Sequence, residues 1–425
     1  MVDLLLGQVL SFTSDPFSDG VSAARHEAQG GVVVAAGRIL ATGPADLIRA
    51  QYPQARITDY GKSLISAGFI DAHVHYPQTA IIASWGKRLI DWLNLYTFPE
   101  EIRLADPAYA ATIANRYLDL ALAHGTTSMC SYTTIHPHSV DAFFSAAEAR
   151  GLRAFAGKTC MDRNAPDALR DTAQTAYDDS KRLLQRWHGV DRLGYVITPR
   201  FSPTSTPDQL AALGALWAEN PGCLMQTHLS EQNDEIAWVR ALFPDARDYL
   251  DTYESHGLLR EGAVFGHAIH LEPREKSRLA EVGAALVHCP TSNTFIGSGL
   301  FDMTLATSLR VGLGTDTGGG SSFSMLRTMA AAYEVAQLRR QSLHPSQLMW
   351  LATVGSARAL RAEHQIGNIA AGMEADLVVL NLSSTAAIAQ RSAQASDIWS
   401  AIFPTIMMGD DRAVQAVWVR GRPVT

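Results

Sequence analysis

The feature of this 425-residue sequence that most limits its fold is a regular alternation of apolar β-type runs with amphipathic helical stretches. Helical patterns cover residues 107–124, 139–150 and 165–187, and β-type runs lie between them. Such alternation predicts parallel strands joined by helices. Eight strands of this kind close a barrel, and all their carboxyl ends then lie on one rim. The eight are predicted to begin near Leu64, Thr127, Arg153, Leu193, Leu224, Ala263, Ala285 and Val311.

The two ends of the chain have a different pattern. Residues 3–66 contain short β-type runs separated by turn residues and no long amphipathic helix, and β-type runs return at 375–380 and 413–420, after a helix predicted over 345–360. The sequence therefore predicts an α/β protein with a (β/α)8 TIM-type barrel over 67–368. Residues 1–66 and 369–425 are predicted to form one small, discontinuous β-sandwich domain.

Composition restricts the partners and the compartment. Hydrophobic residues make up 47% of the chain and the net charge is -7, which disfavours nucleic acid as a partner. No run of about eighteen apolar residues and no basic leader occurs, so no membrane partner is expected and residence in the cytoplasm is predicted. Cys130, Cys160, Cys223 and Cys289 lie far apart, which favours buried free thiols in a reducing compartment.

Two histidines follow the first predicted barrel strand. His73 and His75 occupy alternate positions, so their side chains leave the same face of a strand. An isolated His-x-His is short and also fits a pair of hydrogen-bonded histidines. Three later segments each end an apolar run with a potential ligand or acid/base group. They are 224–231 with His228 and Glu231, 263–271 with His267, and 311–319 with Asp316. Imidazoles and carboxylates at four strand ends predict a metal centre on the rim of the barrel.

The chemistry expected there follows from the kinds of ligand. Three histidines and one carboxylate bind zinc with an open position for water, and His73, His75, His228 and Asp316 would supply them. Glu231 lies three residues beyond His228, where it can reach a substrate without binding the metal, and is predicted to carry protons. The alternative for Glu231 is a surface residue at a helix start.

Several longer motifs resemble the amidohydrolase superfamily and, within it, the guanine deaminases. They are His-Val-His-Tyr-Pro-Gln at 73–78, Thr-Phe-Pro-Glu-Glu at 97–101, the segment 157–166 with Met-Asp-Arg-Asn-Ala-Pro, Thr-Pro-Arg-Phe-Ser-Pro-Thr at 198–204, Thr-His-Leu-Ser-Glu at 227–231, His-Cys-Pro-Thr-Ser-Asn at 288–293 and Gly-Thr-Asp-Thr-Gly at 314–318. The likeness extends over essentially the full chain. It implies hydrolytic deamination of guanine to xanthine and ammonia, with guanine and water as partners of a homodimer.

The resemblance also assigns further roles. His267 would complete the metal shell or hydrogen-bond the bound water, Asp316 would take the proton of that water, and Glu231 would be the proton shuttle. Gln78, Arg200 and Phe201 would bind the base, together with His228 and Glu231. Dinuclear relatives carry a carboxylated lysine on the fourth strand; strand 193–201 has no lysine, so one zinc ion per chain is expected.

Some alternatives remain open at this point. The same scaffold could deaminate another amino-purine such as 8-oxoguanine, or dechlorinate an amino-triazine. Gln78, Arg200 and Phe201 argue against both. A non-catalytic scaffold protein is a further alternative. Taken alone, Arg200 is more typical of a salt bridge. Lys158 is expected to be structural or on the surface. Segment 81–100 could be a lid over the barrel rim or an ordinary surface helix.

Overall fold

The computed structural model describes residues 2–86 and 88–424. Its strands are β1 (Val2–Phe12), β2 (Ala24–Ala35), β3 (Arg38–Pro44), β4 (Arg56–Ala67), β5 (Phe69–His75), β6 (Thr126–Tyr132), β7 (Arg153–Gly157), β8 (Thr159–Cys160), β9 (Leu193–Pro199), β10 (Leu224–Leu229), β11 (Ala263–His267), β12 (Ala285–His288), β13 (Arg310–Leu313), β14 (Leu377–Leu380), β15 (Val414–Val419) and β16 (Arg422–Pro423).

The α-helices connect and cover these strands. They are α1 (Pro16–Asp19), α2 (Ala45–Gln51), α3 (Leu89–Trp92), α4 (Phe98–Arg103), α5 (Pro107–Ala123), α6 (Pro137–Ala149), α7 (Ala173–Trp187), α8 (Pro207–Glu219), α9 (Asn233–Leu242), α10 (Tyr249–Glu254), α11 (Pro273–Val282), α12 (Pro290–Phe295), α13 (Met325–Leu338), α14 (Pro345–Trp350), α15 (Ser356–Ala359), α16 (Ala386–Ser392) and α17 (Ile398–Met408). Short π-helical segments follow α3 (Leu93–Thr97) and α14 (Leu351–Gly355).

The parallel strands form the predicted barrel. Their order is β5-β6-β7-β9-β10-β11-β12-β13, with β8 paired to β9. Two backbone hydrogen bonds join the first strand to the segment after the last one: Asp316 N–H donates to the carbonyl of His73 (2.9 Å), and His75 N–H donates to that of Thr317 (3.2 Å). Strands β5, β6 and β9 are buried at every residue, as expected where helices cover a parallel sheet. The predicted barrel is confirmed.

Local signals in the sequence account for where several barrel helices begin. Helices α5, α6, α8 and α11 each have proline in the first turn, where its missing N–H costs no hydrogen bond. Asp106 caps α5 by accepting a hydrogen bond from the N–H of Ala108 at 2.9 Å. The predicted helix over 165–187 is an exception, because α7 begins only at Ala173, after a capping box made by Thr172 and Thr175.

The terminal segments pair into one mixed sheet with the order β16-β15-β14-β4-β1-β2-β3. Strand β14, from the C-terminal part, lies antiparallel to β4, with Leu377 opposite Ala67. The start assigned near Leu64 to the first barrel strand is wrong, because Leu64 lies in β4. The apolar run is divided at Gly68, whose N–H donates to the carbonyl of Asp376 (2.9 Å), and the barrel strand begins at Phe69. Strand β4 extends to Ala67, one residue beyond the limit at 66, and the domain limits at 66 and 369 stay a prediction.

Two further expectations concern membrane-spanning helices and the cysteines. None of the helices in the described part of the chain is long and apolar enough to cross a membrane. Cys130, Cys160, Cys223 and Cys289 are all buried and free, which confirms the prediction from their spacing.

Buried ion pairs hold the small sheet against the amino-terminal side of the barrel. Arg192, just before β9, donates from Nη2 to Glu374 Oε2 (2.6 Å) and also contacts Asp376. Arg153, at the start of β7, donates from Nε to the same Glu374 oxygen at 2.9 Å. All four side chains are largely buried. Removing one partner would leave an uncompensated charge in a medium of low dielectric.

The substitution Arg192→Ala is therefore expected to lower the free energy of unfolding by about 3–5 kcal/mol. Arg327→Ala is a matched control, because the pair between Arg327 and Glu334 (3.3 Å) is about half exposed, and it should cost about 1 kcal/mol or less. Urea denaturation followed by fluorescence measures both. Equal effects of the two substitutions would contradict the structural role of the buried pairs.

Candidate active site

All five predicted metal-site residues meet at the carboxyl end of the barrel. His73 and His75 lie on β5, His228 lies on β10, and His267 ends β11. Asp316 follows β13 by three residues. Each of these side chains is at most 9% exposed. Packing around His73 is close: a Cβ placed on Gly266, which lies on β11, would be 2.4 Å from the Cε1 atom of His73, so β11 needs glycine there.

Three pairs of donor atoms have the spacing found between the ligands of a tetrahedral metal site. His75 Nε2 lies 3.2 Å from His228 Nε2. Asp316 Oδ1 lies 3.5 Å from His73 Nε2 and 3.4 Å from His75 Nε2. Ligands bound to zinc at about 2.1 Å in a tetrahedron are separated by about 3.4 Å. The donor atoms form two groups of three within 4.8 Å, His73 with His75 and Asp316, and His73 with His228 and His267, so this buried cluster could hold a metal ion.

Hydrogen bonds at the far side of two rings orient them toward this point. His228 Nδ1 lies 2.7 Å from the carbonyl oxygen of Arg200, and His267 Nδ1 lies 2.8 Å from Oδ1 of Asn293. Since both partners are acceptors, both Nδ1 atoms carry the proton, and Nε2 is left free to bind a cation. Among the described residues, the buried Nε2 atoms of His73 and His267 have no hydrogen-bond partner. Orphaned imidazole nitrogens beside a carboxylate are the donor set that a metal ion satisfies.

His267 stands between the metal ligands and Glu231. Its Nε2 lies 3.8 Å from Asp316 Oδ2 and 3.5 Å from Glu231 Oε2. The backbone is strained at the same places, with φ of +66° at His267, +48° at Asp316 and +49° at Ser230. Non-glycine residues adopt this region rarely, and such strain is typical of functional sites.

Electrostatics favours the metal-binding protonation states. Burial lowers the pKa of His73 and lowers those of His75 and His228 further, so these rings are neutral at pH 7. Burial alone would raise the pKa of Asp316, but the nearby imidazoles of His73, His267 and His75 outweigh burial and hold it below its usual range. A neutral imidazole and an ionised carboxylate are the forms that bind a cation.

Glu231 faces the same cavity and is almost completely buried. Burial raises the pKa of its carboxyl to about 7. The hydroxyl of Ser298 donates to its Oε1 at 2.8 Å, which leaves Oε2 on the side of His267. Glu231 is thus not a surface residue at a helix start, and its position suits a group that exchanges protons with a bound molecule.

The predicted base-binding residues also line this cavity. Gln78, Arg200 and Phe201 line the cavity that also contains His228 and Glu231. Arg200 makes a salt bridge as well, because its Nη1 donates to Glu101 Oε2 at 2.7 Å. The remaining wall is mostly apolar and consists of Leu89, Trp92, Leu93, Thr97 and Ile296.

Part of segment 81–100 covers this cavity. Helix α3 and the π-helical segment after it supply four of the lining residues, among them the buried Trp92. Trp85, in contrast, is 88% exposed. Lys87 lies outside the described residues. The segment therefore has the position of a cover, and its opening and closing stay a prediction.

Lys158 takes no part in the site. It lies between β7 and β8, is 1% exposed, and forms an ion pair with Asp171. Its role is structural, one of the two that were expected, and it is buried rather than on the surface. The pairing could not be read from the sequence, because Asp171 lies in the loop that was predicted to be helical.

Sequence reasoning missed the residues that support the site from behind. Asn293 and Ser298 hold His267 and Glu231, and Glu101 contacts both Gln78 and Arg200. Asp71 links the first strand to the last by accepting hydrogen bonds from Thr315 N–H at 2.9 Å and from its hydroxyl at 2.5 Å. Asn293 and Glu101 stand within the quoted motifs, which was the available signal. Asp71 shares the strand face of His73, since it lies two residues earlier.

Comparison with known proteins places these features in a family. The profile of the amidohydrolase family matches residues 64–424, and a profile for an imidazolonepropionase-like composite domain of bacteria matches residues 30–55. Guanine deaminase of Escherichia coli (strain K12) is 41% identical over 415 residues, which are 97% of this chain and 94% of that protein. The probable guanine deaminase of Deinococcus radiodurans is 42% identical over 381 residues, with 88% of this chain and 86% of that protein covered.

Solved structures give the same picture. The E. coli guanine deaminase structure superposes with a TM-score of 0.97 at 40% identity, covering 100% of this chain and 99% of that one. Guanine deaminase from C. acetobutylicum, solved with guanine in its active site, superposes with a TM-score of 0.91 at 26% identity, and both chains are covered completely.

The geometry predicts different effects of two neighbouring substitutions on bound metal. His228→Ala removes a ligand and should lower the metal content of the purified protein at least tenfold, whereas Glu231→Gln, which lies beyond the ligand set, should leave it unchanged. Inductively coupled plasma mass spectrometry measures both. Full metal content in His228→Ala, or its loss in Glu231→Gln, would show that the ligand set is assigned wrongly.

Proposed function

The chain belongs to the amidohydrolase family, and we propose that within it the protein is a guanine deaminase, which converts guanine and water to xanthine and ammonia. One observation carries this proposal: the metal cluster, Glu231, and the pair Gln78 and Arg200 all face one buried cavity. The full-length similarity to guanine deaminases of other organisms supports the same conclusion.

We propose one zinc ion per chain, held by His73, His75, His228 and Asp316, with His267 beside it. When bound, the ion supplies Lewis acidity, which lowers the pKa of water toward about 7 and so makes it a nucleophile at neutral pH. The imidazole set suits zinc among the common divalent ions. An ion held by these four residues would keep a coordination position for water.

The protein's own residues move the protons. Water adds to C2 of guanine, and the bond from C2 to the exocyclic amine breaks. One proton must therefore reach a ring nitrogen, and another must reach the leaving amine. Asp316 accepts one proton of the attacking water at a carboxylate oxygen and returns it to the leaving amine, which departs as ammonia with the electron pair of the exocyclic C2–N bond. The other proton of the water passes to Glu231. Glu231 delivers a proton from Oε2 to the ring nitrogen beside C2, and Ser298 holds Oε1 so that Oε2 stays directed at the cavity. His267 hydrogen-bonds the attacking water or completes the metal shell.

The other wall orients the base and excludes solvent. Arg200 has only N–H donors and suits the C6 carbonyl of guanine, and Gln78 can bond an adjacent ring atom. Phe201 covers a face of the ring, and Trp92 and Leu93 close the cavity with apolar surface. Removing bulk water strengthens each of these polar contacts.

Compartment and assembly are part of the proposal. Four buried free thiols support residence in the reducing cytoplasm. A homodimer is the proposed assembly, because the resemblance implies it, and analytical ultracentrifugation measures it directly.

Glu231→Gln tests the proposed chemistry. The amide cannot accept and return a proton, so kcat for ammonia release from guanine should fall about 10²- to 10⁴-fold with bound metal retained. A coupled ammonia assay on guanine, 8-oxoguanine, adenine and an amino-triazine measures the wild type and the variant. Near-normal turnover by Glu231→Gln would refute the proton shuttle, and a wild type that is active on the triazine but not on guanine would refute the substrate.

Substrate choice gives a second prediction. Adenine carries an amine where guanine carries the C6 carbonyl, and Arg200 cannot accept a hydrogen bond from it. Leaving a buried charged donor unpaired and misplacing the reacting carbon should together favour guanine over adenine by at least about a thousandfold in kcat/KM.

Two variants of Arg200 separate its roles in binding and in packing. Arg200→Met should reduce guanine turnover strongly and leave metal content unchanged. Arg200→Lys keeps a positive charge beside Glu101 but loses the planar fork, so it should fold like the wild type and still lose most of the activity on guanine. Normal deamination of guanine by Arg200→Met would exclude this mode of binding.

A further inference from the structure

A carboxylate behind the cavity contacts both residues that are proposed to recognise the base. Glu101, on α4, is fully buried. Its Oε1 accepts a hydrogen bond from Gln78 Nε2 at 3.1 Å, and its Oε2 accepts one from Arg200 Nη1 at 2.7 Å. The two oxygens of one side chain thus hold two residues that come from distant parts of the chain.

The preceding glutamate on the same helix points elsewhere. Glu100 is also buried, but it accepts hydrogen bonds from Arg103 Nη1 at 2.9 Å and from the hydroxyl of Tyr109. The contact of Glu101 with Gln78 and Arg200 is therefore not a general property of acidic residues in this helix. The chain itself offers Glu100 as a matched control.

We infer that Glu101 is a positioning residue that sets which hydrogen-bonding atoms Gln78 and Arg200 offer to the substrate; this inference rests on the proposed function. An ionised carboxylate can only accept hydrogen bonds, so the NH₂ group of Gln78 must face Glu101, and its acceptor oxygen is left on the other side of the amide. Arg200 uses one N–H on Glu101 and keeps its other donors.

Gln78 therefore offers an acceptor oxygen, and Arg200 offers N–H donors, at the same wall of the cavity. This pair complements the adjacent N1–H and C6 carbonyl of a 6-oxopurine. A base without that donor and acceptor, such as purine itself, cannot use the pair. Glu101 would thereby determine a preference for 6-oxopurines without touching the substrate.

The opposite side of Gln78 is also restricted. A Cβ placed on Gly318 would lie 2.4 Å from both Cβ and Oε1 of Gln78. Gly318 has φ of +132°, a conformation that other residues rarely adopt. Gln78 is therefore confined between Glu101 and the segment that carries Asp316, so the residue that orients the base is fixed relative to a metal ligand.

Glu101→Gln tests this role, with Glu100→Gln as the control. The neutral amide can donate to Gln78 Oε1, which allows Gln78 to turn over, and it no longer compensates the charge of Arg200. We expect kcat/KM for guanine to fall at least about 30-fold, with metal content as in the wild type. Glu100→Gln should stay within about threefold of the wild type.

Two inhibitors separate positioning from general damage. Hypoxanthine has the C6 carbonyl and N1–H but no leaving amine. Purine has neither the C6 carbonyl nor the N1–H, and it also has no leaving amine. In Glu101→Gln the inhibition constant should rise at least about tenfold for hypoxanthine and less than threefold for purine. Equal losses for both inhibitors, or activity within threefold of the wild type, would overturn the inference.

A second substitution covers a failure of Glu101→Gln to fold. Gly318→Ala pushes on Gln78 from the other side and should give the same selective loss of hypoxanthine binding; equal weakening of both inhibitors there would also overturn the inference. If the wild-type protein releases no ammonia from guanine, the proposed function is refuted. That outcome is distinct from the inference on Glu101, which is tested by the ratios of inhibition constants between variant and wild type.

Discussion

The structure depends on bringing together buried donors from residues as far apart in sequence as His73 and Asp316. Three donor pairs among His73, His75, His228 and Asp316 lie 3.2–3.5 Å apart. Neutral imidazole nitrogens and a carboxylate are costly to bury without partners, and here they offset that cost together by forming a site for one cation. Barrel closure makes this possible. The hydrogen bond from Asp316 N–H to the carbonyl of His73 joins the last strand to the first, so the same backbone contact closes the sheet and sets two ligands side by side.

Buried hydrogen-bond partners fix several of the functional side chains. His228 is oriented by the Arg200 carbonyl, His267 by Asn293, Glu231 by Ser298, and Arg200 by Glu101. Arg200 thus has two roles. Its backbone carbonyl orients His228, and its side chain lies in the wall that is proposed to bind the base. Preorganisation of this kind reduces the reorganisation needed during reaction, which is a large part of what an active site contributes.

Sequence reasoning recovered the parts that local periodicity encodes. Strands buried on both faces give continuous apolar runs, so the barrel could be predicted. The two-residue period of a strand places His73 and His75 on one face, so their positions as candidate ligands could be predicted too. Partners that meet only through tertiary packing were not: Glu101 lies 99 residues from Arg200, and Ser298 lies 67 residues from Glu231. Leu64 was assigned to the barrel because one apolar run serves two sheets, and only the pairing of β4 with β14 separates them.

We propose that one metal ion lies among His73, His75, His228 and Asp316, with the base held between Glu231 and Arg200. Zinc-edge anomalous diffraction from crystals of the zinc-loaded protein with hypoxanthine tests it most directly. The account predicts one strong anomalous peak per chain, at about 2.0–2.2 Å from each of the four donor atoms, and hypoxanthine with its C6 oxygen facing Arg200. A second strong peak in the barrel, a peak away from these donors, or a base in the reverse orientation would contradict it.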